Sequence, residues 1–347
     1  MSPNALQSAI RRLAAGESLS DGDAAAAFGF VMSGEATPAQ VAALLMGLRV
    51  KGETPEEVAG AARALREAMV RIDAESPGEL VDTCGTGGGA VMTFNISTAA
   101  GLVAAGAGLR VAKHGNRSFT SQCGSADVLE ALGVPLEATP PQMAQVLREA
   151  GVVFMFAPTM HPAMRHVGPV RRELAVPTVM NVVGPLANPA GAGRQVVGVA
   201  ERRRMPLLAG ALAALGARRA LVVHGEPGMD EMSPLGPTWV TEVGPAGLRE
   251  WTVDPAALGF SGFRAEELAG GTPADNARIV TDILEGRGAP GARAAVVLNA
   301  AAALYVGGIA PTMERCVERA RQALEEGAGR QALDRMRTAY ARARESV

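Results

Sequence analysis

Aromatic residues are scarce: Phe, Tyr and Trp make up 3% of 347 residues, which argues against stacking platforms for single-stranded nucleic acid. Cysteine is almost as rare. Cys84, Cys123 and Cys316 show no C-x-x-C spacing, so neither a disulfide framework nor a zinc site is expected. Charge of one sign is missing too. The formal net charge is −2, and the longest basic run is Arg202-Arg203-Arg204. Three arginines opening a predicted helix read as a solvated face, so no nucleic-acid partner is expected. The longest apolar run, Ala99 to Leu109, holds three glycines and is too short to span a bilayer, so no membrane role is expected. Met1-Ser2-Pro3-Asn4 leads to Arg11 and Arg12 without an apolar stretch. No signal peptide is therefore expected, and the chain is placed in the cytoplasm.

What is present is a chain that is 48% apolar, ample for a buried core and unlike a disordered composition. Its first quarter reads as helices. Pro3 suits a first helical position, with Leu6, Ile10 and Leu13 at helical spacing. Ser20 with Asp23, Thr37 with Gln40, and Thr54 with Glu57 predict capping boxes, and Gly34 a helix end. Ser76-Pro77-Gly78 then breaks the pattern. We expect an all-α domain over 1–75, joined in space by helices near 165–185, and a second domain over 76–347.

Beyond that break, short β runs alternate with helices. Leu80-Val81, Leu109 to Ala112, Val152 to Phe156, Val196 to Val199 and Leu221 to Val223 predict strands. Ser97 to Ala107 and Ser125 to Leu132 predict helices, and from Asn276 onward the chain reads as helix again. This alternation predicts an α/β domain with a mainly parallel central sheet. Ligands then belong at the carboxyl ends of the strands.

Four segments follow strand candidates and carry chemistry. Asp82-Thr83-Cys84-Gly85-Thr86-Gly87-Gly88-Gly89 is a glycine loop whose backbone N–H groups can approach an anion. Thr93, Asn95, Ser97 and Thr98 then open the next helix, whose N-terminus adds about 0.3–1 kcal/mol per bound charge. A flexible turn is the alternative. Lys113-His114-Gly115-Asn116-Arg117-Ser118-Phe119-Thr120-Ser121 concentrates cations, an amide and hydroxyls, as a phosphate and ribose clamp would. Lys113 supplies a point charge and Arg117 a forked contact; the alternative is a solvated polar loop. Asp230-Glu231 fits magnesium, which takes one or two carboxylates with water and substrate phosphate, or else an acidic surface turn. Arg171 and Arg172 can reach a carboxylate or stand in solvent. His161 before Pro162 reads as shaping a turn or packing in the core, and His114 as positional beside Lys113. Cys84 reads as a small buried residue, and no Ser-His-Asp or Cys-His set points to covalent catalysis.

These segments, in this order, resemble the anthranilate phosphoribosyltransferase family. Its most specific parts here are Lys113 to Arg117, Gly124-Ser125-Ala126-Asp127-Val128-Leu129-Glu130-Ala131-Leu132-Gly133 and Gly184-Pro185-Leu186-Ala187-Asn188-Pro189. The resemblance implies transfer of phosphoribose from 5-phosphoribosyl-1-pyrophosphate to the anthranilate amine, with release of pyrophosphate. It implies the nucleoside phosphorylase / phosphoribosyltransferase-like fold and a homodimer through the α domain. It assigns donor binding to Gly85, Gly88, Gly89, Thr93, Asn95, Ile96, Ser97, Thr98, Lys113, His114, Gly115, Asn116, Arg117, Ser118, Phe119, Thr120, Ser121 and Ser125. It assigns one Mg2+ to Ser97, a second to Asp230 and Glu231, and anthranilate to Gly85, Asn116 and Arg171, with no acid–base residue. A pyrimidine nucleoside phosphorylase and a non-catalytic nucleic-acid-binding relative share the architecture and are the alternatives. The departures are Gly89 where the family has aspartate, Pro227 for a common aspartate, Met180 for phenylalanine, and Thr272 for an acid.

Overall fold

The computed structural model describes residues 4–118 and 122–345. Pro3, Phe119, Thr120 and Ser121, all named above, lie outside the described residues. The chain opens with α1 (Ala5–Ala14), α2 (Asp21–Met32), α3 (Pro38–Lys51) and α4 (Pro55–Ala68). The Thr37–Gln40 and Thr54–Glu57 capping boxes form, each with proline in the first turn. Ser20 accepts from the Asp23 N–H. An additional box, Asn4 with Gln7, starts α1. Gly34 follows α2 at φ 82°, the left-handed position that ends a helix.

Then come β1 (Val81–Gly85), α5 (Ile96–Gly106), β2 (Val111–Gly115), α6 (Ser125–Ala131), α7 (Pro140–Ala150), β3 (Val152–Phe156), α8 (Ala157–Met160), α9 (Gly168–Leu174), α10 (Met180–Val183) and β4 (Arg194–Gly198). The chain ends with α11 (Met205–Ala214), β5 (Arg219–Gly225), β6 (Thr238–Gly244), β7 (Gly247–Val253), α12 (Pro273–Leu284), α13 (Pro290–Gly307), α14 (Met313–Glu325) and α15 (Ala328–Glu345). One sheet runs in the order β3-β2-β1-β4-β5-β6-β7. The pairs from β3 to β5 are parallel, and β6 and β7 add an antiparallel hairpin at one edge. That hairpin is absent from the strands predicted above, although Thr238 to Val243 and Leu248 to Val253 flank a Gly-Pro-Ala-Gly turn.

Strand order turns back between β1 and β4, the crevice where doubly wound sheets bind ligands. Gly85, the last residue of β1, pairs there with Gly198, the last of β4.

Apolar side chains collect in two cores. One is sandwiched between the sheet and α5, α13, α14 and α15. The other unites α1 to α4 with Val170, residues 179–187, α11 and the opposite sheet face at Val197, Ala220 and Val222. The helical unit is thus welded to the sheet by α11, which packs on both α4 and β5. No described helix is long and apolar enough to cross a membrane.

Candidate active site

The glycine loop leaves β1 with Gly87 and Gly88 at φ 70° and 81°, a backbone that side chains other than glycine rarely adopt. Gly85, Gly87 and Gly88 are exposed, and Gly89 is half-buried. The Asp230-Glu231 pair closes over this loop from the β5–β6 connection. Gly87 N–H donates to Asp230 Oδ2 at 2.8 Å, and Ser97 N–H, at the start of α5, donates to Glu231 Oε1 at 3.2 Å.

Three strand-terminal glycines make room for this approach. A Cβ on Gly85 would stand 2.5 Å from Asp230 Oδ2, one on Gly225 would stand 2.5 Å from the Glu231 carbonyl oxygen, and one on Gly198 would overlap the Asp230 carbonyl. Of the three, Gly198 and Gly225 carried no functional reading in the sequence. The signal at each was a glycine ending an apolar strand.

Two adjacent carboxylates on anion-binding N–H groups are electrostatically expensive. Burial, then the neighbouring Asp230, pushes Glu231 up to about 8, while burial also raises Asp230. Their donor chemistry fits magnesium, with water and substrate oxygens completing the shell. Among the described residues no three His, Cys, Asp or Glu gather to enclose a metal by themselves.

A consequence in pH follows. Glu231 stays protonated in the folded metal-free chain up to about 8, while in the unfolded chain it ionises near 4.5. The folded state then holds the extra proton, so this group's contribution to stability is lost as pH rises from 4.5 to 8. Magnesium needs the carboxylate, so its affinity is expected to rise over the upper part of that window and level off above about 8. Calorimetric titration of magnesium from pH 6 to 9 checks this; a flat profile would count against Glu231 as a ligand.

Beneath the loop, Lys113 is buried at 4% exposure. Its ammonium donates to the Thr83 carbonyl and, at 3.2 Å, to Ser97 Oγ. Burial lowers its pKa, opposed by Asp82. Lys113 therefore sits under the α5 N-terminus rather than reaching out of the clamp as an independent point charge. Asp82 is fully buried: it accepts from His114 N–H at 3.2 Å and from Asn188 Nδ2 at 2.7 Å. Burial still lifts it to about 6. Asn188 Nδ2 also donates to the Ala112 carbonyl, and its Oδ1 accepts from Ala190 N–H. Neither Asp82 nor Asn188 was a sequence-based site candidate, although each stands in a motif quoted above. His114 and His161 meet Nε2 to Nε2 at 3.2 Å. Burial takes them down to about 3 and about 4, so both are neutral at physiological pH and one Nε2–H donates to the other ring.

The β2–α6 loop brings Asn116 and Ser125 together: the Asn116 carbonyl accepts from Ala126 N–H at 3.2 Å and Ser125 Oγ at 3.4 Å. A Cβ on Gly115 would collide with Ser125 Oγ. Ser118 N–H donates to Asp127 Oδ2. Arg117 departs from the sequence reading. Its fork is taken by Glu130, at 2.8 and 3.1 Å, and by Asp127 at 2.8 Å. These pairs are exposed and worth only about 0.2–1 kcal/mol each, so turning the fork to a phosphate costs little.

Around α5, Asn95 Oδ1 accepts from Asn276 Nδ2 at 2.9 Å, and Asn276 in turn accepts from Gly271 N–H. Thr93 bridges to Ala269. Ile96 and Thr98 differ from the expected pattern, since both are buried. Thr98 Oγ1 faces an internal void of about 10 Å³ with Lys113 and has no partner among the described residues. What these two offer the cleft is backbone. Arg172 is exposed on α9, whereas Arg171 is half-buried there. Burial lowers the Arg171 pKa, and among the described residues its guanidinium has no hydrogen-bond acceptor or carboxylate partner.

Cys84 is half-buried, and burial pushes its thiol well up, which removes it as a nucleophile. Gly89 bears directly on the acidic pair. A Cβ there would stand 3.0 Å from the Gly228 carbonyl and 3.3 Å from Asp230 Oδ1. An aspartate at 89 would crowd that turn and add a third carboxylate. Gly89→Asp is therefore expected to change donor KM severalfold in this chain; steady-state kinetics with unchanged donor KM would show that position 89 is not sensed.

Comparisons with known proteins extend over nearly the whole chain. The helical bundle domain of a glycosyl transferase family matches residues 7–69, and the a/b domain of that family matches 77–330. An anthranilate phosphoribosyltransferase of Rubrobacter xylanophilus is 52% identical, covering 95% of this chain and 96% of its own. One from Symbiobacterium thermophilum is 47% identical, covering 96% and 97%. The crystal structure of the Thermus thermophilus enzyme superimposes with a TM-score of 0.90 at 43% identity, covering 96% of this chain and 99% of its own. The Saccharomyces cerevisiae enzyme in complex with PRPP and Mg gives 0.87 at 26% identity, covering 97% and 98%. With family models spanning most of its length and relatives near 50% identity, the chain belongs to the anthranilate phosphoribosyltransferase family.

Proposed function

We propose that the β1–β4 crevice binds 5-phosphoribosyl-1-pyrophosphate with magnesium and passes its phosphoribosyl group to the anthranilate amine. The observation that carries this reading is the docking of Asp230 and Glu231 on the N–H groups of Gly87 and Ser97. Carboxylates and phosphates compete for the same donors, and only a cation between them lets both stay.

In this reading the exposed backbone at Gly85, Gly88 and Gly89 cradles the pyrophosphate, with Thr93, Asn95, Ser97 and the α5 N-terminus beside it. Gly115, Asn116, Arg117, Ser118 and Ser125 line the phosphoribosyl end; Phe119, Thr120 and Ser121, which the resemblance also assigns to the donor, lie outside the described residues. Asp230 and Glu231 hold one Mg2+. Ser97 holds a second through the lone pair that Lys113 leaves free. When bound, magnesium neutralises the charge that develops on pyrophosphate as the C1–O bond breaks. The backbone donors do the same without reorganising.

The ribose carbon becomes oxocarbenium-like, and the amine attacks its opposite face. An arylamine is already unprotonated at neutral pH, so no general base is needed and positioning supplies much of the rate. The neutral His114–His161 pair is consistent with that. We assign the anthranilate carboxylate to Arg171, whose half-buried guanidinium lacks a protein partner among the described residues, with Gly85 and Asn116 beside the ring. We also propose a homodimer through the α domain, where Val50 on α3 is 81% exposed.

Arg171→Ala is expected to raise the anthranilate KM by at least tenfold, with the donor KM changed less than threefold, a loss of about 1.4 kcal/mol or more. Initial rates with each substrate varied test this. Equal changes in both would remove Arg171 from carboxylate recognition.

A further inference from the structure

The amino-terminal edge of the sheet, opposite the catalytic crevice, holds a cavity of about 660 Å³. Arg194 at the start of β4, Arg218 and Arg219 at the start of β5, and Arg249 on β7 line it, together with Glu242, Tyr305 and the Gly244–Gly247 turn. Its volume lies in the range of small-molecule sites.

The four arginines share two carboxylates. Arg194 and Arg218 both pair with Glu79, and Arg219 and Arg249 both pair with Glu242. Four positive and two negative charges leave +2, on a chain whose overall charge is −2. Part of that excess serves the fold. Arg194 donates to the Gly307 carbonyl and Arg219 to the Tyr305 carbonyl, capping the C-terminus of α13. A helix end contributes only about half a negative charge, so the cavity stays positive.

The Arg219 guanidinium carbon stands over the Tyr305 ring, 3.9 Å from its centroid, and Arg249 donates through Nη2 to Glu242 and the Tyr305 hydroxyl. That stack fixes the floor. Arg218 and Arg249, 56% and 64% exposed, are left at the opening with donors to spare, since a guanidinium carries five.

We propose that this cavity is a second ligand site, for a small dianion with an organic body. Two guanidiniums at its mouth suit the oxygens of a phosphate monoester or a dicarboxylate, and the volume exceeds what a bare anion fills. The site lies on none of the residues assigned to catalysis.

The test is calorimetric titration of the full chain at low ionic strength with inorganic phosphate, ribose 5-phosphate and succinate. The variants are the double substitutions Arg218→Gln/Arg249→Gln and Arg218→Lys/Arg249→Lys. At least one anion is expected to bind the native chain with a component weakened tenfold or more by the glutamine pair and partly restored by the lysine pair. Turnover should be unchanged in both variants. Preference for ribose 5-phosphate identifies a monoester and preference for succinate a dicarboxylate, whereas binding of inorganic phosphate alone would overturn the organic body. Binding unaltered in the glutamine pair would overturn the proposal, as would no binding to the native chain. A loss of thermal stability without any change in anion binding would overturn it too, leaving the arginines as ties for α13.

Discussion

Gly198→Ala is expected to lower kcat/KM at least about 100-fold, because a displacement of about 1 Å at a catalytic group costs that much. The added methyl would occupy the place of the Asp230 carbonyl, and β4 cannot yield because it is hydrogen-bonded on both sides. The metal-side turn must therefore lift, taking Asp230 from Gly87 and Glu231 from Ser97. Overpacking of this kind costs about 1–3 kcal/mol, which a chain with two large apolar cores can bear while staying folded. Kinetics at rising magnesium, with a melting curve alongside, separate the two effects. A folded variant with native turnover would show that the position of Asp230 does not matter.

The second large effect concerns stability. Asn188→Leu strips a partner from Asp82 Oδ2, the Ala112 carbonyl and Ala190 N–H, all buried. Unsatisfied buried groups cost about 1–3 kcal/mol each, more for a charged one, so a total loss of about 3–5 kcal/mol is expected. The loss should depend on pH. Asp82 titrates at about 6 in the folded chain, and the Asn188 amide favours its charged form, so the cost is greater at pH 8 than at pH 5. Urea unfolding at both values checks this. Equal losses would mean that Asp82 does not ionise in the range.

Periodic features were legible in the sequence because each is local. Thr37-Pro38-Ala39-Gln40 announces its helix start, and Val152 to Phe156 has the bounds of β3. The glycine loop, the Asn116 loop and Asp230-Glu231 followed from one rule, that ligands gather where parallel strands end. The β6–β7 hairpin was missed because its alternation is partly polar and Arg249, Glu250 and Trp251 break the apolar face. The interior support of the site was missed for another reason. Asp82 reaches Asn188 across 106 residues, and Gly198 matters only because residue 230 folds onto it. Such pairings have no local signature. At Arg117 residue type suggested a phosphate contact, but not the carboxylates of α6 that hold its fork when no phosphate is bound.

The first four helices and the glycosyl transferase fold leave substrate choice to the site itself. The most direct measurement is the loss of anthranilate fluorescence on mixing the purified chain with 5-phosphoribosyl-1-pyrophosphate and magnesium, with pyrophosphate release followed in parallel. Magnesium-dependent loss with one pyrophosphate released per anthranilate consumed is the result expected. Pyrophosphate release without anthranilate consumption, or turnover only with a different amine or base, would contradict the assignment.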